Sequence, residues 1–165
     1  MSESKIFTPC QIGPITLRNR TIRSAAFENM ARENKPTEQL FNYHTSVAKG
    51  GIGMTTVAYA SVMESGLSFD GQLWLREEAI PDLKKLTDAI HEQGAKASIQ
   101  IGHCGNMTHR ATCHCKPWSP SGRFNLYSPT FTHQMTHEEI DETVEAFGRA
   151  VDLCRRSGFD CIEVH

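Results

Sequence analysis

The sequence has no marked excess of either charge. Its 17 Lys and Arg residues stand against 19 Asp and Glu, a net charge of −2, which argues against a nucleic-acid surface. It has no apolar run near the roughly 18 residues that a membrane span needs. Its opening residues, Met1-Ser-Glu-Ser-Lys-Ile-Phe7, lack the apolar stretch of a signal peptide. A cytoplasmic chain with neither nucleic-acid nor membrane partner is therefore expected. Low-complexity tracts are missing, as are repeats beyond a strand–helix rhythm. Without a secretory context, the six cysteines do not read as a disulfide framework. Cys154 and Cys161 fall within apolar patterns and are expected to be buried thiols.

What is present is an ordinary globular composition, 39% hydrophobic and 22% charged, in 165 residues. That is enough for one domain with a real core. Four short β-like runs recur: Thr21–Phe27, Gly51–Ala58, Lys96–Gly102 and Phe159–His165. Each is a short apolar or β-branched run, as expected of a strand covered on both faces. Helical patterns separate them. Pro36-Thr37 precedes a helix over Glu38–Lys49, and Gly50 stops it. Ile80, Leu83, Leu86 and Ile90 line one face of a second helix that ends before Gly94. Thr136-His-Glu-Glu139 is a capping box that opens a third, with Ile140, Val144, Phe147, Val151 and Cys154 on one face. The order β-α-β-α-β-α-β predicts a parallel sheet, and leaves open whether it is flat or closed into a barrel. Ahead of it, residues 7–17 alternate around Gly13-Pro14 and predict a small hairpin.

The connections are asymmetric. Residues 59–77 and 103–135 follow strand C-terminal ends and are long, and the second holds three of the chain's seven prolines. The loops at the other end, at Gly50-Gly51, Gly94-Ala95 and Gly158, are short. Parallel α/β enzymes build their sites at the C-terminal ends of strands, and long loops there are usually functional.

Gln100 and His103 fall at the end of the third run. A Gln in an apolar strand must satisfy its amide. That amide suits a ring with adjacent donor and acceptor, such as a flavin pyrimidine, and equally a core role bonding neighbouring backbone. His165, ending the fourth run, reads either as a donor to a substrate oxygen at a site mouth or as a satisfied histidine. The set His103, Cys104, His109, Cys113, His114 and Cys115 has metal-ligand chemistry. Its spacing is irregular and no second knuckle follows, so no metal ligand is assigned. Gly50-Gly-Ile-Gly53 ends a helix and enters a strand, and so reads as a turn rather than a dinucleotide fingerprint. Met54, Met63 and Met107 read as packing residues, and Arg76-Glu-Glu78 as a solvated helix start.

Taken in order, several segments resemble the NADH:flavin oxidoreductase, or old yellow enzyme, family. They are Leu17-Arg-Asn-Arg20, Arg23-Ser-Ala-Ala-Phe-Glu28, Lys49-Gly-Gly-Ile-Gly-Met54, Glu92-Gln-Gly-Ala-Lys96, Ile99-Gln-Ile-Gly-His-Cys-Gly105 and Ala150–His165. The resemblance runs along nearly the whole chain. It implies a (β/α)8 TIM barrel with FMN at the C-terminal face of the strands. By that resemblance Ala25, Ala26 and Phe27 pass along the flavin, Tyr59 takes a flavin-contacting position, and Gln100 bonds the pyrimidine. His165 matches the first of a His pair that grips the substrate carbonyl oxygen, and Asn29 stands near a substrate-facing position. The family's chemistry is ping-pong. NADH or NADPH reduces FMN, which then passes hydride to the β-carbon of an α,β-unsaturated carbonyl compound. Three departures are visible. Phe27 replaces a residue that donates a hydrogen bond in many members, Tyr59 replaces a small one, and Asn29 stands near where some members place a substrate-facing Tyr.

A complete barrel needs about 250 residues. Residues 1–165 therefore read as the N-terminal half of one FMN-binding barrel domain, an incomplete barrel of four strands, three crossover helices and an N-terminal hairpin. On this reading the partner of His165, the proton donor and the phosphate site lie in a missing C-terminal half-barrel. The isolated half is expected to bind FMN weakly or not at all and to self-associate through its open sheet edges. The competing expectations are a non-catalytic half-barrel that pairs with another chain, and a Cys/His metal module.

Overall fold

Four parallel strands in sequence order, with the short strand Leu73–Trp74 paired in parallel to the end of the second, form the five-stranded central sheet of the computed structural model, which describes residues 4–165. The start of the N-terminal segment read against a signal peptide, Met1 to Glu3, lies outside the described residues. The four are Ile22–Arg23, Met54–Ser61, Lys96–Gly102 and Cys161–Val164. Each pairs in parallel with the next. Helices Glu38–Lys49, Ile80–Glu92 and His137–Arg156 connect them. The third strand and the first helix have the predicted boundaries. The hairpin forms too, with Cys10–Ile12 antiparallel to Ile15–Leu17 and Gly13 at φ +54°. No helix of the described residues is long and apolar enough to cross a membrane.

The helix ends are set by local chemistry. Thr37 caps the first helix by accepting from the Leu40 N–H. The capping box of the third is complete: the Thr136 hydroxyl accepts from Glu139 N–H, and the Glu139 carboxylate accepts from Thr136 N–H. Alternation along the third strand turns Ala97, Ile99 and Ile101 into the apolar core. There they meet Leu83, Leu86 and Ile90 of the second helix and Ala146, Ala150 and Leu153 of the third. Ser98, Gln100 and Gly102 therefore lie on the opposite, interior face.

Four expectations are corrected. The first strand is only Ile22–Arg23, because the chain leaves the ladder at Ser24 to bury the Glu28 carboxylate. The second strand begins at Met54, not Gly51. Gly51 sits at φ +99°, and a Cβ on Gly53 would lie 2.6 Å from the Asn19 carbonyl oxygen, so the segment is held as a turn. This shift puts Tyr59 inside the strand, which runs to Ser61 across a bulge between Val57 and Ala60. The fourth strand is trimmed to Cys161–Val164, and Cys161 is half-buried rather than buried. On the third helix Cys154 is buried and Phe147 packs against the core as predicted, but the rest of the buried face is Ala146, Ala150 and Leu153, while Ile140, Val144 and Val151 are exposed. Small residues let this helix lie close to the sheet, and the larger aliphatic stripe faces away.

The short loops at the N-terminal end are tied by one side chain. The Arg18 guanidinium donates to the carbonyl of Ala48 in the last turn of the first helix and to those of Ile52 and Gln93 in the turns before the second and third strands. On the same side Asp160 receives Ala97 N–H at 2.9 Å, Lys96 Nζ at 2.7 Å and His91 Nε2 at 2.6 Å. Arg76-Glu-Glu78 is more than a solvated start: Glu77 forms a two-pronged pair with Arg156, both contacts at 2.7 Å.

Candidate active site

The strand C-terminal ends bring Tyr59, Gly102, His103, Cys104, Met107 and His165 around a cleft of about 300 Å³. A second recess of about 320 Å³ shares Tyr59 and Met107 with it and reaches Phe27, Phe69 and Tyr127. Met107 is thus a cleft wall, 45% exposed, rather than a packing residue. A cavity of about 390 Å³ at the opposite end, beside Arg18, His91 and Lys96, is a poorer candidate. Its charged groups are already spent on backbone carbonyls and Asp160.

Gln100 faces the interior and is nearly buried, at 8% exposure. It sits directly opposite Glu163 in the ladder, and its Nε2 donates to Glu163 Oε1 at 2.8 Å. Its partner is therefore a carboxylate on the next strand, not neighbouring backbone. Its Oε1 has no protein partner among the described residues and stays open as an acceptor.

Tyr59 projects from the second strand. Its hydroxyl shares a hydrogen bond with Ser68 Oγ, and the Ser68 N–H donates to Gln72 Oε1 at 2.8 Å. Burial raises the Tyr59 hydroxyl above its ordinary pKa, against the pull of Ser68, so it stays protonated at neutral pH. Behind it, Gln72 is 1% exposed and its Nε2 has no partner among the described residues. His165, by contrast, is exposed at the cleft rim, and its side chain has no hydrogen-bond partner among the described residues.

His103 is more constrained than its sequence position suggested. Its Nδ1 accepts from Gly105 N–H at 3.0 Å, which places the proton of the neutral ring on Nε2, 3.1 Å from Ser65 Oγ. Burial lowers its pKa and favours that neutral form. The ring stacks on Trp118 at 5.9 Å and lies so close to Gly66 that a Cβ there would approach Cδ2 to 2.7 Å.

The segment expected to run along a flavin, Ala25, Ala26 and Phe27, carries no ladder hydrogen bonds. Phe27 is 70% exposed and its ring meets Phe69 at 4.5 Å. Ala25 and Ala26 line neither recess. Asn29 has φ +50° and its side chain lies against Gly71, outside the His165 cleft. Glu28 anchors this segment, a role that sequence reasoning missed. Its Oε1 is 2.8 Å from Arg23 Nη1 and 3.0 Å from His44 Nε2, and its Oε2 accepts from Ala58 N–H at 3.1 Å. The available signal was an acidic residue five places after Arg23 in an otherwise small, apolar run.

The Cys/His loop does not gather into a metal centre. Among the described residues no group of three or more His, Cys, Asp or Glu side chains is placed to hold an ion. All six cysteines are free thiols.

With this geometry in place, comparisons with known proteins give one answer. The profile of the NADH:flavin oxidoreductase / NADH oxidase family matches residues 5–165. The chain is 39% identical over 160 residues to 4,4'-dithiodibutanoate disulfide reductase of Rhodococcus erythropolis, covering 97% of this chain and 40% of that protein. It is 34% identical to an NADPH dehydrogenase of Listeria monocytogenes, covering 98% and 48%. The chain thus spans about half the length, or less, of the curated relatives it matches. Among solved structures, a 2-naphthoyl-CoA reductase complex superposes with TM-score 0.90 at 26% identity, covering 97% of this chain and 27% of that one. Morphinone reductase with tetrahydroNAD gives 0.89 at 20% identity, covering 99% and 49%, and shares the fold. The sheet is accordingly part of a TIM barrel of the old yellow enzyme kind.

Proposed function

The chain belongs to the NADH:flavin oxidoreductase / NADH oxidase family, and on that premise we propose that residues 1–165 supply the N-terminal half of an FMN-binding barrel. The complete protein would use NADH or NADPH to reduce the C=C bond of α,β-unsaturated carbonyl compounds in the cytoplasm. The observation that carries this reading is the convergence of Tyr59, Gly102, His103 and His165 at the ends of three adjacent parallel strands, with Gln100 one step below.

The donor set suits a flavin. Gln100 Oε1 is an open acceptor in a nearly buried position, and its Nε2 becomes a donor once it leaves Glu163. Bound FMN would supply hydride transfer between the nicotinamide and the substrate. Gln100 would fix the ring's orientation. Ala25, Ala26 and Phe27 would border it from the segment that Glu28 anchors, with Tyr59 on the second strand. His165 would donate to the carbonyl oxygen of the enone, since its ring nitrogens are free at the rim. Asn29 would reach the substrate only if its contact with Gly71 were released.

The test uses the whole protein reconstituted with FMN. His165→Ala is expected to lower kcat/KM for 2-cyclohexenone by about 10²-fold, the usual effect of removing one oxyanion donor, with FMN still bound by absorbance. Gln100→Leu is expected to weaken FMN binding by about tenfold, or ~1.4 kcal/mol. Unchanged enone turnover in His165→Ala, together with unchanged FMN affinity in Gln100→Leu, would overturn the assignment.

A second reading is favoured by one specific observation. Val164 is 68% exposed on the outermost strand, and Ile140, Val144 and Val151 form an exposed stripe on the third helix. An open strand edge and an exposed apolar stripe each call for a covering element. Further barrel residues of the same polypeptide would supply it. So would another chain, whether a second copy or a separate half-barrel.

A further inference from the structure

The feature that the flavin chemistry leaves unused is the pair of thiols in Cys113-His-Cys115. The helical turn Arg110–Cys113 ends at His114, which takes the left-handed conformation at φ +55°. This reversal folds Cys115 back over Cys113, so that their sulfurs lie 3.7 Å apart. The two are unequal. Both border a solvent-open recess, but Cys113 is 2% exposed and directs its thiol toward the Cys115 carbonyl at 3.3 Å, whereas Cys115 is only half-buried. Cys104, the other thiol of this loop, is held elsewhere, with its Sγ directed to the Leu67 carbonyl at 3.4 Å.

We infer that Cys113 and Cys115 form a thiol–disulfide exchange site, oxidised reversibly to an intramolecular disulfide by low-molecular-weight disulfides. The thiolate of Cys115 attacks one sulfur of a disulfide RS–SR, forms a mixed disulfide and releases RS⁻, which takes up a proton. Cys113 then loses its proton and attacks the Cys115 sulfur, closing the Cys113–Cys115 bond and releasing the second RSH. Two protein thiols are oxidised, and one RS–SR is reduced to two RSH. Exposure assigns Cys115 as the attacking sulfur and Cys113 as the resolving one. The sulfurs are already in contact, so closure needs side-chain rotation within one tight turn and no displacement of the sheet.

The surroundings of Cys115 set the rate. Burial raises its pKa to about 12, and Cys113 and Glu64 add to that effect while Arg110 opposes it. His114 and Glu142 also line the recess. The reactive thiolate is therefore scarce at neutral pH, and exchange accelerates as pH rises. The protein carries its own reporter. Both of its tryptophans, Trp74 and Trp118, line the recess that holds the pair.

The experiment exposes the purified protein to oxidised glutathione between pH 7 and pH 9. Free thiols are counted, tryptophan emission is recorded and tryptic peptides are weighed. The expected result is loss of two thiols of the six. The peptide Ala111–Arg123, which holds no other cysteine, should become two hydrogens lighter. Tryptophan emission should fall and return with dithiothreitol, and Cys113→Ser should instead accumulate a stable glutathione adduct on Cys115. The inference is overturned if wild type retains that adduct, if the disulfide maps to another pair, or if Ala111–Arg123 stays reduced while Cys10 or Cys161 reacts. None of these readouts depends on FMN or on enone reduction.

Discussion

Replacing Glu28 with Ala should be among the most damaging single changes available outside the apolar core. Glu28 and His44 have side chains 3% and 0% exposed, and that of Arg23 is 15% exposed. Removing the carboxylate strands two hydrogen-bonded groups and takes away the neighbour of a third, the His44 Nε2 that has no hydrogen-bond partner among the described residues. The Arg23 guanidinium keeps only the Thr56 carbonyl and the Tyr43 ring and hydroxyl, His44 Nε2 loses its neighbour, and Ala58 N–H loses its acceptor. Breaking a buried ion pair from one side costs about 3–5 kcal/mol. At roughly 2–4 °C per kcal/mol for a chain of this size, that is a fall of about 6–20 °C in Tm. Glu28→Gln keeps the volume and one acceptor for Ala58 N–H but loses the charge-assisted bond to Arg23, a cost of about 1.5–3 kcal/mol. Urea denaturation followed by far-UV circular dichroism measures both, and Arg23→Met combined with Glu28→Gln separates the pair from its parts. A destabilisation below about 1 kcal/mol in Glu28→Ala would refute the reasoning, because the cluster would then be solvated rather than buried.

The remaining predictions concern the N-terminal end of the sheet. Gly53→Ala places a Cβ 2.6 Å from the Asn19 carbonyl oxygen and 2.9 Å from that of Thr21, both backbone atoms that cannot rotate away. It should cost at least about 1–3 kcal/mol, and an unchanged urea midpoint would show that the turn relaxes freely. Although burial pushes the Asp160 carboxyl up, Lys96, the Ala97 N–H and His91 together hold it below the ordinary carboxylate value. Because the folded value is the lower one, its contribution is present above the unfolded carboxylate range and is lost as pH falls through the folded value. Asp160→Asn should therefore flatten the acid limb of a stability-against-pH curve, and an acid limb parallel to wild type would count against the assignment.

Much of the fold was legible because it rests on local rules. The third strand and the first helix keep their predicted boundaries, and the capping box at Thr136 and the Gly13-Pro14 hairpin formed as read. Periodicity, caps and glycine turns act within a few residues and leave a direct imprint on the sequence. The order of family-like segments was equally local, and it pointed to the family that the residue 5–165 match establishes.

The errors arose where distant groups competed with local pattern. Thr21–Phe27 has a strand's composition, yet it leaves the ladder because Arg23, His44 and the Ala58 N–H draw Glu28 inward. The aliphatic stripe on the third helix looked like its buried face, but the small residues Ala146 and Ala150 allow the closer approach to the sheet. Gln100 was identified as a polar residue needing a partner, but only the register between the third and fourth strands could name Glu163.

The sequence by itself determined the alternation of parallel strands and helices, the end of the sheet where the long connections gather, and the family, because these follow from short-range chemistry and motif order. Only the tertiary structure decided which side chains meet: Glu28 with Arg23 and His44, Gln100 with Glu163, and Cys113 with Cys115 across a left-handed residue. Such contacts depend on strand register and backbone reversal, which place groups within a few ångströms whatever their spacing along the chain.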